Sequence, residues 1–273
     1  MQISVIIPTF NRAHTLPRAL DSVLGQRQAT SEILVIDDGS TDHTRQLMQT
    51  QYADCRYLYQ SNQGVSAARN HGIRASRYDW IALLDSDDAW LPDKLQRQQQ
   101  ALQNQPGYRL CHTDEIWIRN GVRVNPMKKH TKSGGRIFSD CLPRCVISPS
   151  AALLHRSLFE QIGLFDTNLP ACEDYDLWLR ICAREPVLYL EKPLVVKYGG
   201  HADQLSRAHW GMDRFRIHAL EKIIQSGTLS ASDRTAAVEM LQQKSHILAQ
   251  GAEKRGHRHR AEEYRKLMQA YRL

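Results

Sequence analysis

Short apolar runs alternate with helical spacing along the first third of the chain. The runs are typical of buried strands and occur at Ile3–Ile7, Ile33–Ile36, Tyr57–Tyr59 and Trp80–Leu84. Between them lie a helical face made by Leu16, Ala19, Leu20, Val23 and Leu24, a second helix that Ser40 caps, and a third over Val65–Ala75. Such alternation predicts a mostly parallel sheet with helices on both faces and ligands at the carboxyl ends of its strands.

The pattern is less regular from Cys111 onward. Asn120-Gly121 predicts a hairpin turn, and the polar stretch 128–135 predicts a loop. Helices are expected over Ser150–Phe165 and Tyr175–Cys182, and the chain beyond Arg207 contains only helical segments.

Composition indicates a globular protein. The 273 residues are 42% hydrophobic and 24% charged, enough to bury a large core. No apolar run approaches the roughly 20 residues of a membrane span, and the chain starts with a strand instead of a signal peptide, so we expect a cytoplasmic location. The six cysteines lack the spacing of a zinc site and are expected to be reduced packing residues.

Three aspartates, Asp85, Asp87 and Asp88, follow the apolar strand that ends at Leu84. Carboxylates brought together there would repel one another, which indicates a positive partner. Mg²⁺ or Mn²⁺ fits, because two carboxylates and the phosphates of a substrate complete an octahedral shell. The alternative is an acidic turn before a helix that Asp88 caps.

Five blocks resemble, in this order, the family-two inverting glycosyltransferases of the GT-A fold: residues 5–12, 35–42, 62–70, 84–88 and 173–178. The resemblance covers roughly residues 3–206. It implies an α/β fold with a Rossmann-like, mostly parallel central sheet flanked by helices and followed by a C-terminal helical tail. Residues 1–110 would be the nucleotide-sugar-binding half of the domain, residues 111–206 its acceptor-binding half, and residues 207–273 a basic tail.

The same resemblance implies a nucleotide-diphosphate sugar donor and a divalent metal, Mn²⁺ or Mg²⁺. Loss of the nucleoside diphosphate builds negative charge on the leaving phosphate, which a metal held by carboxylate stabilises. Asp87 is the expected direct ligand, and Asp85 contacts the ribose or the waters of the metal. His201 resembles the histidine of the family segment after the last core strand, where it would close over the diphosphate or complete the metal shell. A satisfied structural histidine is the alternative.

For the nucleotide, the resemblance implies that Asp37 or Asp38 accepts a hydrogen bond from the base imide. A turn at Asp38-Gly39 followed by a helix is the alternative for the second aspartate. Arg69 is expected to contact Asp85 or a phosphate, unless it is a surface arginine. The full expected nucleotide-binding set is Pro8, Thr9, Asn11, Arg12, Asp37, Asp38, Arg69, Asp85 and Ser86.

Catalysis requires a general base, because the acceptor hydroxyl must lose its proton as it attacks opposite the leaving group. Asp174 is the candidate, and Glu173 orients it or contacts the acceptor. Both could instead be acidic first-turn residues that the helix dipole favours, as Asp176 could be.

The predicted function is metal-dependent, inverting transfer of one sugar to a hydroxyl of a glycan or lipid-linked acceptor, in cell-surface polysaccharide synthesis. Uridine diphosphate sugars are the favoured donors by family analogy, nucleic acid is not an expected partner, and the Gln-x-x-Arg-Trp signature of processive members is absent. A sugar nucleotidyltransferase would carry a Gly-rich basic loop after the first strand, where this chain has residues 8–11. A non-catalytic nucleotide-sugar-binding scaffold would have lost the carboxylates.

The net charge of +7 suits phosphorylated ligands or an anionic membrane surface. We expect the tail to contact the inner face of the membrane, although a solvated helical hairpin or an oligomer contact would explain it equally well. Its basic residues are Lys244, Lys254, Arg255, Arg258, Arg260, Arg265, Lys266 and Arg272.

Overall fold

The structure, a computed structural model, describes residues 1–200 and 209–272. Its strands are β1 (Ile3–Thr9), β2 (Glu32–Asp37), β3 (Arg56–Tyr59), β4 (Trp80–Leu83), β5 (Ala89–Trp90), β6 (Leu110–Arg119), β7 (Val122–Val124), β8 (Leu153–His155) and β9 (Leu188–Gly199). They form one sheet in the order β3-β2-β1-β4-β8-β6-β9-β5, with β7 paired to β6.

Helices cover the sheet. The first seven are α1 (Leu16–Leu24), α2 (Thr44–Gln51), α3 (Val65–Ala75), α4 (Lys94–Asn104), α5 (Phe138–Cys141), α6 (Ser157–Ile162) and α7 (Glu173–Cys182). Three more follow beyond residue 208: α8 (Asp213–Gln225), α9 (Ala231–Lys254) and α10 (Arg258–Ala270). The predicted helical tail is therefore confirmed over the part of it that the structure describes.

The sheet is parallel from β3 to β4, as predicted. Every residue of β1 is buried, which explains its uninterrupted apolar run, because helices cover both faces of a parallel sheet. Helix α3 lies so close to β1 that a Cβ on Gly72 would overlap the side chain of Ile6. Thr9 pairs with Asp37 at the carboxyl ends of β1 and β2, so the first two motifs meet at one edge of the sheet.

The second half of the sheet is mixed. The helix predicted over Ser150–Phe165 is wrong: a 3-10 turn at Pro149–Ala151 leads into β8, and only α6 is helical. The reason is that residues 151–154 are fully buried between β4 and β6, and β8 pairs antiparallel with both of those strands. The hairpin predicted at Asn120-Gly121 is confirmed between β6 and β7, with positive φ at both residues.

Two predicted helix caps are corrected. Helix α2 begins at Thr44, and the Asp42 carboxylate, not Ser40, accepts its first N–H at 3.0 Å. The Ser40 hydroxyl instead accepts a hydrogen bond from the Asn11 N–H at 2.9 Å. Asp88 does not cap a helix, because β5 follows it directly.

The C-terminal helices are part of the core. Leu220, Val238 and Leu241 are buried in the same apolar cluster as Trp178 of α7. The Lys244 ammonium is buried as well, 3.0 Å from the carbonyl oxygen of Pro143 and 2.9 Å from the carboxylate of Asp213. Within the described ranges, no helix combines the length and apolar character needed to cross a membrane.

All six cysteines have free thiols, and five of them are buried. Their predicted role as packing residues is confirmed for these five. The sixth, Cys145, is half-buried and lies at the candidate site described next.

Candidate functional site

Two cavities share a wall at the carboxyl ends of the parallel strands. The larger has a volume of about 850 Å³, within the range of roughly 300–1,000 Å³ typical of small-molecule sites. Most of the predicted site residues line it: Pro8, Thr9, Arg12, Asp38, Arg69, Asp85, Ser86, Asp87, Glu173 and Asp174. The sequence motifs are therefore brought together as expected.

Asn11 and Asp37 hold turns beside this cavity and do not line it. Asn11 has a positive φ of 53°, and its side-chain oxygen accepts the Thr41 N–H at 2.8 Å. The Asp37 carboxylate accepts the Ser40 N–H at 2.8 Å and the Tyr57 hydroxyl at 2.5 Å. Their geometry supports a role in shaping the wall of the cavity.

Asp38 lines the cavity, and the loop before α3 orients it. Its carboxylate accepts the N–H groups of Gln63 and Gly64 at 2.9 and 2.8 Å. Nearby, the hydroxyls of Thr9 and Ser66 are buried and have no hydrogen-bond partner among the described residues, although both residues line the cavity. Buried polar groups are rarely left unpaired, so these two indicate a polar ligand at this wall.

Arg69 joins the two acidic motifs. Its guanidinium donates to Asp85 at 2.7 Å and to Glu173 at 2.6 Å, and only 4% of the side chain is exposed. The predicted contact with Asp85 is confirmed, and a surface arginine is excluded. Burial would raise the pKa of Asp85, but Arg69 and Lys197 hold it below its usual range. Burial and the Asp174 carboxylate raise the pKa of Glu173, and Arg69 opposes that rise.

Hydrogen bonds with Ser150 and Tyr198 hold the acidic turn after β4 in place. The Ser150 hydroxyl accepts the Asp85 N–H at 3.1 Å and donates to the Asp88 carboxylate at 2.6 Å. The other carboxylate oxygen of Asp88 accepts the Tyr198 N–H at 3.2 Å. Burial, opposed by Lys197 and reinforced by its neighbouring aspartates, raises the pKa of Asp88 to about 8. Asp88 therefore anchors the turn, and it lines the cavity together with Asp85 and Asp87.

The turn fits a divalent ion that binds through few protein ligands. Among residues 1–200 and 209–272, no group of three or more His, Cys, Asp or Glu side chains could hold a metal. Mg²⁺ commonly uses one or two carboxylates, keeps several waters and takes its remaining ligands from substrate phosphates. Asp85 and Asp87 supply such a pair of carboxylates. His201, the third predicted ligand, lies outside the described residues.

Lys197 of β9 is a site residue that the sequence analysis missed. It lines both cavities, with its ammonium 3.9 Å from the Asp88 carboxylate. Burial would lower the pKa of Lys197, but the carboxylates of Asp88, Glu115, Asp85 and Asp174 raise it above its usual value. Lys197 thus places a permanent positive charge among these four carboxylates. An isolated lysine after an apolar pair gave no signal, because only the pairing of β9 with β5 brings it beside the acidic turn.

Asp174 lies where the two cavities meet, in the first turn of α7. Its carboxylate accepts the Cys145 thiol at 3.1 Å and the Tyr175 N–H at 2.7 Å. Glu173 is buried and paired with Arg69, so Asp174 has the better position for proton transfer to or from a bound molecule. Asp176 faces away from the cavity and pairs with Arg180 at 2.8 Å.

The smaller cavity has a volume of about 240 Å³. At its buried end, Glu115 pairs with Lys132 at 3.0 Å. Burial would raise the pKa of Glu115, but Lys132 and Lys197 lower it to about 2. Trp117 forms part of the wall, with its ring centroid 5.0 Å from that of His130. None of these residues was a predicted site residue.

A family model described as "Glycosyl transferase family 2" matches residues 4–163, more than half of the chain. The chain therefore belongs to glycosyl transferase family 2, and the resemblance carried by its sequence motifs is confirmed.

Two relatives define the neighbourhood within that family. The chain is 31% identical over 207 residues to an uncharacterized glycosyltransferase of Rickettsia prowazekii, covering 74% of this chain and 65% of that protein. It is 32% identical over 183 residues to the Escherichia coli protein WfgD, a UDP-Glc:alpha-D-GlcNAc-diphosphoundecaprenol beta-1,3-glucosyltransferase, covering 66% and 69%. The chain spans only 31% of a Rickettsia bellii relative, so the activities of such whole proteins are not carried over to it.

Solved structures match the fold. Residues 1–349 of Staphylococcus aureus TarS, in complex with UDP-GlcNAc, superpose with a TM-score of 0.71 at 19% identity, covering 89% of this chain and 71% of that one. The TarS fragment in complex with UDP gives a TM-score of 0.68 at 18% identity, covering 90% and 72%. The predicted GT-A architecture is confirmed.

Proposed function

We propose that this protein is a metal-dependent, inverting glycosyltransferase that moves one sugar from a nucleotide-diphosphate sugar to an acceptor hydroxyl. One observation carries the proposal: the acidic turn of Asp85 and Asp87 and the carboxylate of Asp174 line one cavity, and Arg69 links the two motifs. An inverting reaction needs a base that is distinct from the groups that hold the leaving phosphate, because the base acts on the face opposite the leaving group.

The donor binds in the larger cavity. Thr9, Ser66 and Asp38 supply hydrogen-bonding groups at one wall, where the unpartnered hydroxyls favour a polar ligand. The diphosphate lies toward the acidic turn, where Asp85 and Asp87 would hold Mn²⁺ or Mg²⁺, which neutralises charge on the leaving phosphate when it is bound. UDP-sugars are the favoured donors, because the matching TarS complexes contain UDP-GlcNAc and UDP and the name of WfgD specifies UDP-glucose.

Asp174 is the general base. Its carboxylate accepts the acceptor hydroxyl proton as that oxygen attacks the anomeric carbon, and the bond to the diphosphate breaks on the opposite side. Glu173 stays paired with Arg69, and this ion pair holds the first turn of α7 in a fixed position relative to Asp85. Lys197 balances the negative charge of the surrounding carboxylates. A negatively charged diphosphate can therefore bind beside them.

The acceptor is a glycan or lipid-linked sugar, and the process is synthesis of cell-surface polysaccharide. The name of WfgD, which specifies a GlcNAc-diphosphoundecaprenol acceptor, supports this class. In this proposal residues 1–110 supply the donor side and residues 111–206 the acceptor side. The start of α8 completes the wall of the donor cavity through Met212, just before the helix, and Arg216 in its first turn.

The protein acts at the inner face of the membrane, which its basic tail contacts peripherally. Lys244 takes no part in that contact because it is buried against Asp213. The exposed cations of α9 and α10, such as Lys254 and Arg258, are available to anionic lipid, and each would contribute on the order of 1 kcal/mol near such a surface.

A donor-turnover assay tests the proposal. Purified protein is incubated with a panel of labelled UDP-, TDP- and GDP-sugars, with and without Mn²⁺, and release of the nucleoside diphosphate is measured together with the anomeric configuration of the product. We expect turnover of at least one donor that stops when EDTA is added. Turnover in the absence of metal would refute the proposed metal dependence. A product that retains the anomeric configuration of the donor would refute the inverting mechanism. Binding without any turnover, with an acceptor panel present, would favour a scaffold.

A further inference from the structure

The smaller cavity differs from the donor cavity in how its charges are arranged. At its buried end every charge has a partner: Glu115 pairs with Lys132 at 3.0 Å and also accepts the Ser148 hydroxyl. Lys197, at the same end, is surrounded by carboxylates. This end is therefore close to neutral and rich in hydrogen-bonding groups, as a sugar requires.

The outer end of the same cavity is cationic. Arg119 and Arg144 both line it, and neither guanidinium forms an ion pair with any residue in the ranges that the structure describes. His130 lines the same cavity, and burial together with the charges of Arg144, Lys129 and Arg119 lowers its pKa below the usual value. Two arginines without carboxylate partners at one opening form a site for an anion, and their planar forks suit phosphate oxygens.

Trp117 connects the two ends. Its indole N–H donates to Glu115 at 3.0 Å, and the Arg119 guanidinium lies 5.7 Å from its ring centroid. Aromatic faces of this kind supply apolar contact area for a ring-shaped ligand. A cavity of about 240 Å³ has room for little more than one sugar residue, so the rest of an acceptor must leave through the arginine end.

We propose that the smaller cavity binds an acceptor sugar that carries a phosphate group, with the sugar hydroxyl at Asp174, the ring along Trp117 and the phosphate between Arg119 and Arg144. This inference rests on the proposed function and names the chemistry of its second substrate. The phosphate belongs either to a lipid diphosphate or to a phosphodiester-linked glycan, since both present the same group to the arginines.

The test compares two acceptors in the presence of a donor that the wild-type protein turns over. One is an N-acetylglucosaminyl diphosphoryl alkyl chain; the other is the alkyl glycoside of the same sugar without phosphate. The variants are Arg119→Gln, Arg144→Gln and the double variant. Arg123→Gln is the matched control, because Arg123 is an exposed arginine on β7 that does not line the cavity.

We expect each cavity variant to raise KM for the diphosphoryl acceptor about tenfold or more, as loss of a hydrogen bond to a charged group does. Turnover at saturating acceptor, donor affinity and the slow hydrolysis of donor without acceptor should stay at wild-type values, and Arg123→Gln should behave as wild type. An equal KM for the two acceptors, or equal effects of the variants on both, would overturn the inference while leaving glycosyl transfer intact.

Binding gives a second readout that does not depend on turnover. With UDP and Mg²⁺ in excess filling the donor cavity, calorimetry should detect the diphosphoryl sugar on the wild type and not on the double variant. Binding that the double variant retains would refute the assignment. A short phosphodiester-linked glycan in the same assay distinguishes the two sources of phosphate, because only the source that fits should compete. A uronic acid glycoside that competes equally well would show that the two arginines bind a carboxylate as readily as a phosphate. That result would also overturn the inference.

Discussion

Replacing Arg69 by Met tests the link between the two acidic motifs. The guanidinium is almost fully buried and donates to Asp85 at 2.7 Å and to Glu173 at 2.6 Å. Methionine fills similar space along the stem but leaves two carboxylates facing each other with no cation between them. Removing one partner from a buried ion pair costs about 3–5 kcal/mol, because the remaining charge stays desolvated. For a chain of this size, the corresponding fall in Tm is on the order of 10 °C.

The loss should depend on pH. In the wild type the pKa of Asp85 is held below its usual value, so Asp85 contributes stability above the pKa of an unfolded aspartate, about 3.9. That contribution disappears as the pH falls through the lowered pKa. Without Arg69 the pKa of the buried Glu173 carboxyl loses the cation that opposes its rise, and the pKa of Asp85 loses the larger of its two opposing cations, so both carboxyls take up protons more readily. The difference in unfolding free energy between the two proteins should therefore be largest near pH 7 and shrink toward pH 4.

Urea unfolding followed by circular dichroism between pH 4 and pH 7 measures this difference. Arg77→Met is the control, because its side chain is 71% exposed and lies 3.7 Å from Glu32, and such surface pairs contribute little. Arg69→Lys should recover only part of the lost unfolding free energy. A single ammonium lacks the planar, forked shape by which the guanidinium donates to two carboxylates at once. A loss below about 1 kcal/mol for Arg69→Met, or a loss that does not change with pH, would refute the reasoning.

The remaining predictions concern the metal, the base, the core and the tail. Asp87→Asn should abolish the metal-dependent part of UDP binding in calorimetry, because a neutral amide is a poor Mg²⁺ ligand; unchanged enhancement by metal would exclude Asp87 as a ligand. Asp174→Asn should lower kcat by about 10²- to 10⁴-fold while donor affinity is kept, and normal turnover would point to Glu173 as the base. Leu241→Ala should cost about 2–5 kcal/mol in urea unfolding, and a cost near zero would contradict its place in the core. Reversing the exposed charges at Lys254 and Arg258 to Glu should weaken flotation with anionic liposomes at low salt, whereas no flotation of the wild type would exclude the lipid contact.

The parallel half of the fold was predictable because its signals are local. The strand at Ile3–Ile7 and the helix over Val65–Ala75 follow from apolar runs and spacing that hardly depend on the rest of the chain. The strand at Leu153–His155 was not predictable in this way. Its apolar residues resemble one face of a helix, and only the space between β4 and β6 requires them to be extended.

The residues of the candidate site also differ in whether a local sequence pattern predicts them. Asp85, Asp87 and Asp174 lie in dense acidic motifs at the ends of predicted elements, so their neighbourhood could be inferred. Lys197 and Arg144 carry no such pattern, and their place at the site depends on the sheet order and on the path of a loop. The sequence also could not reveal that Asn11 holds a turn, since its left-handed backbone and its bond to Thr41 exist only in the folded chain.

The insertion of β8 beside β4 has a consequence for biosynthesis. While the protein is made, the free edge of β4 stays without its neighbour until residues 153–155 have left the ribosome and paired with residues 80–82. An unpaired strand edge is a template for association with other chains. A nascent or truncated chain ending near residue 110 would expose that edge together with apolar residues such as Ile73 and Leu83, which belong to the same buried cluster as Leu154 and Trp178. Residues 1–110 are therefore expected to complete their folding only after residues 153–155 have been synthesised, and to aggregate when they are expressed alone.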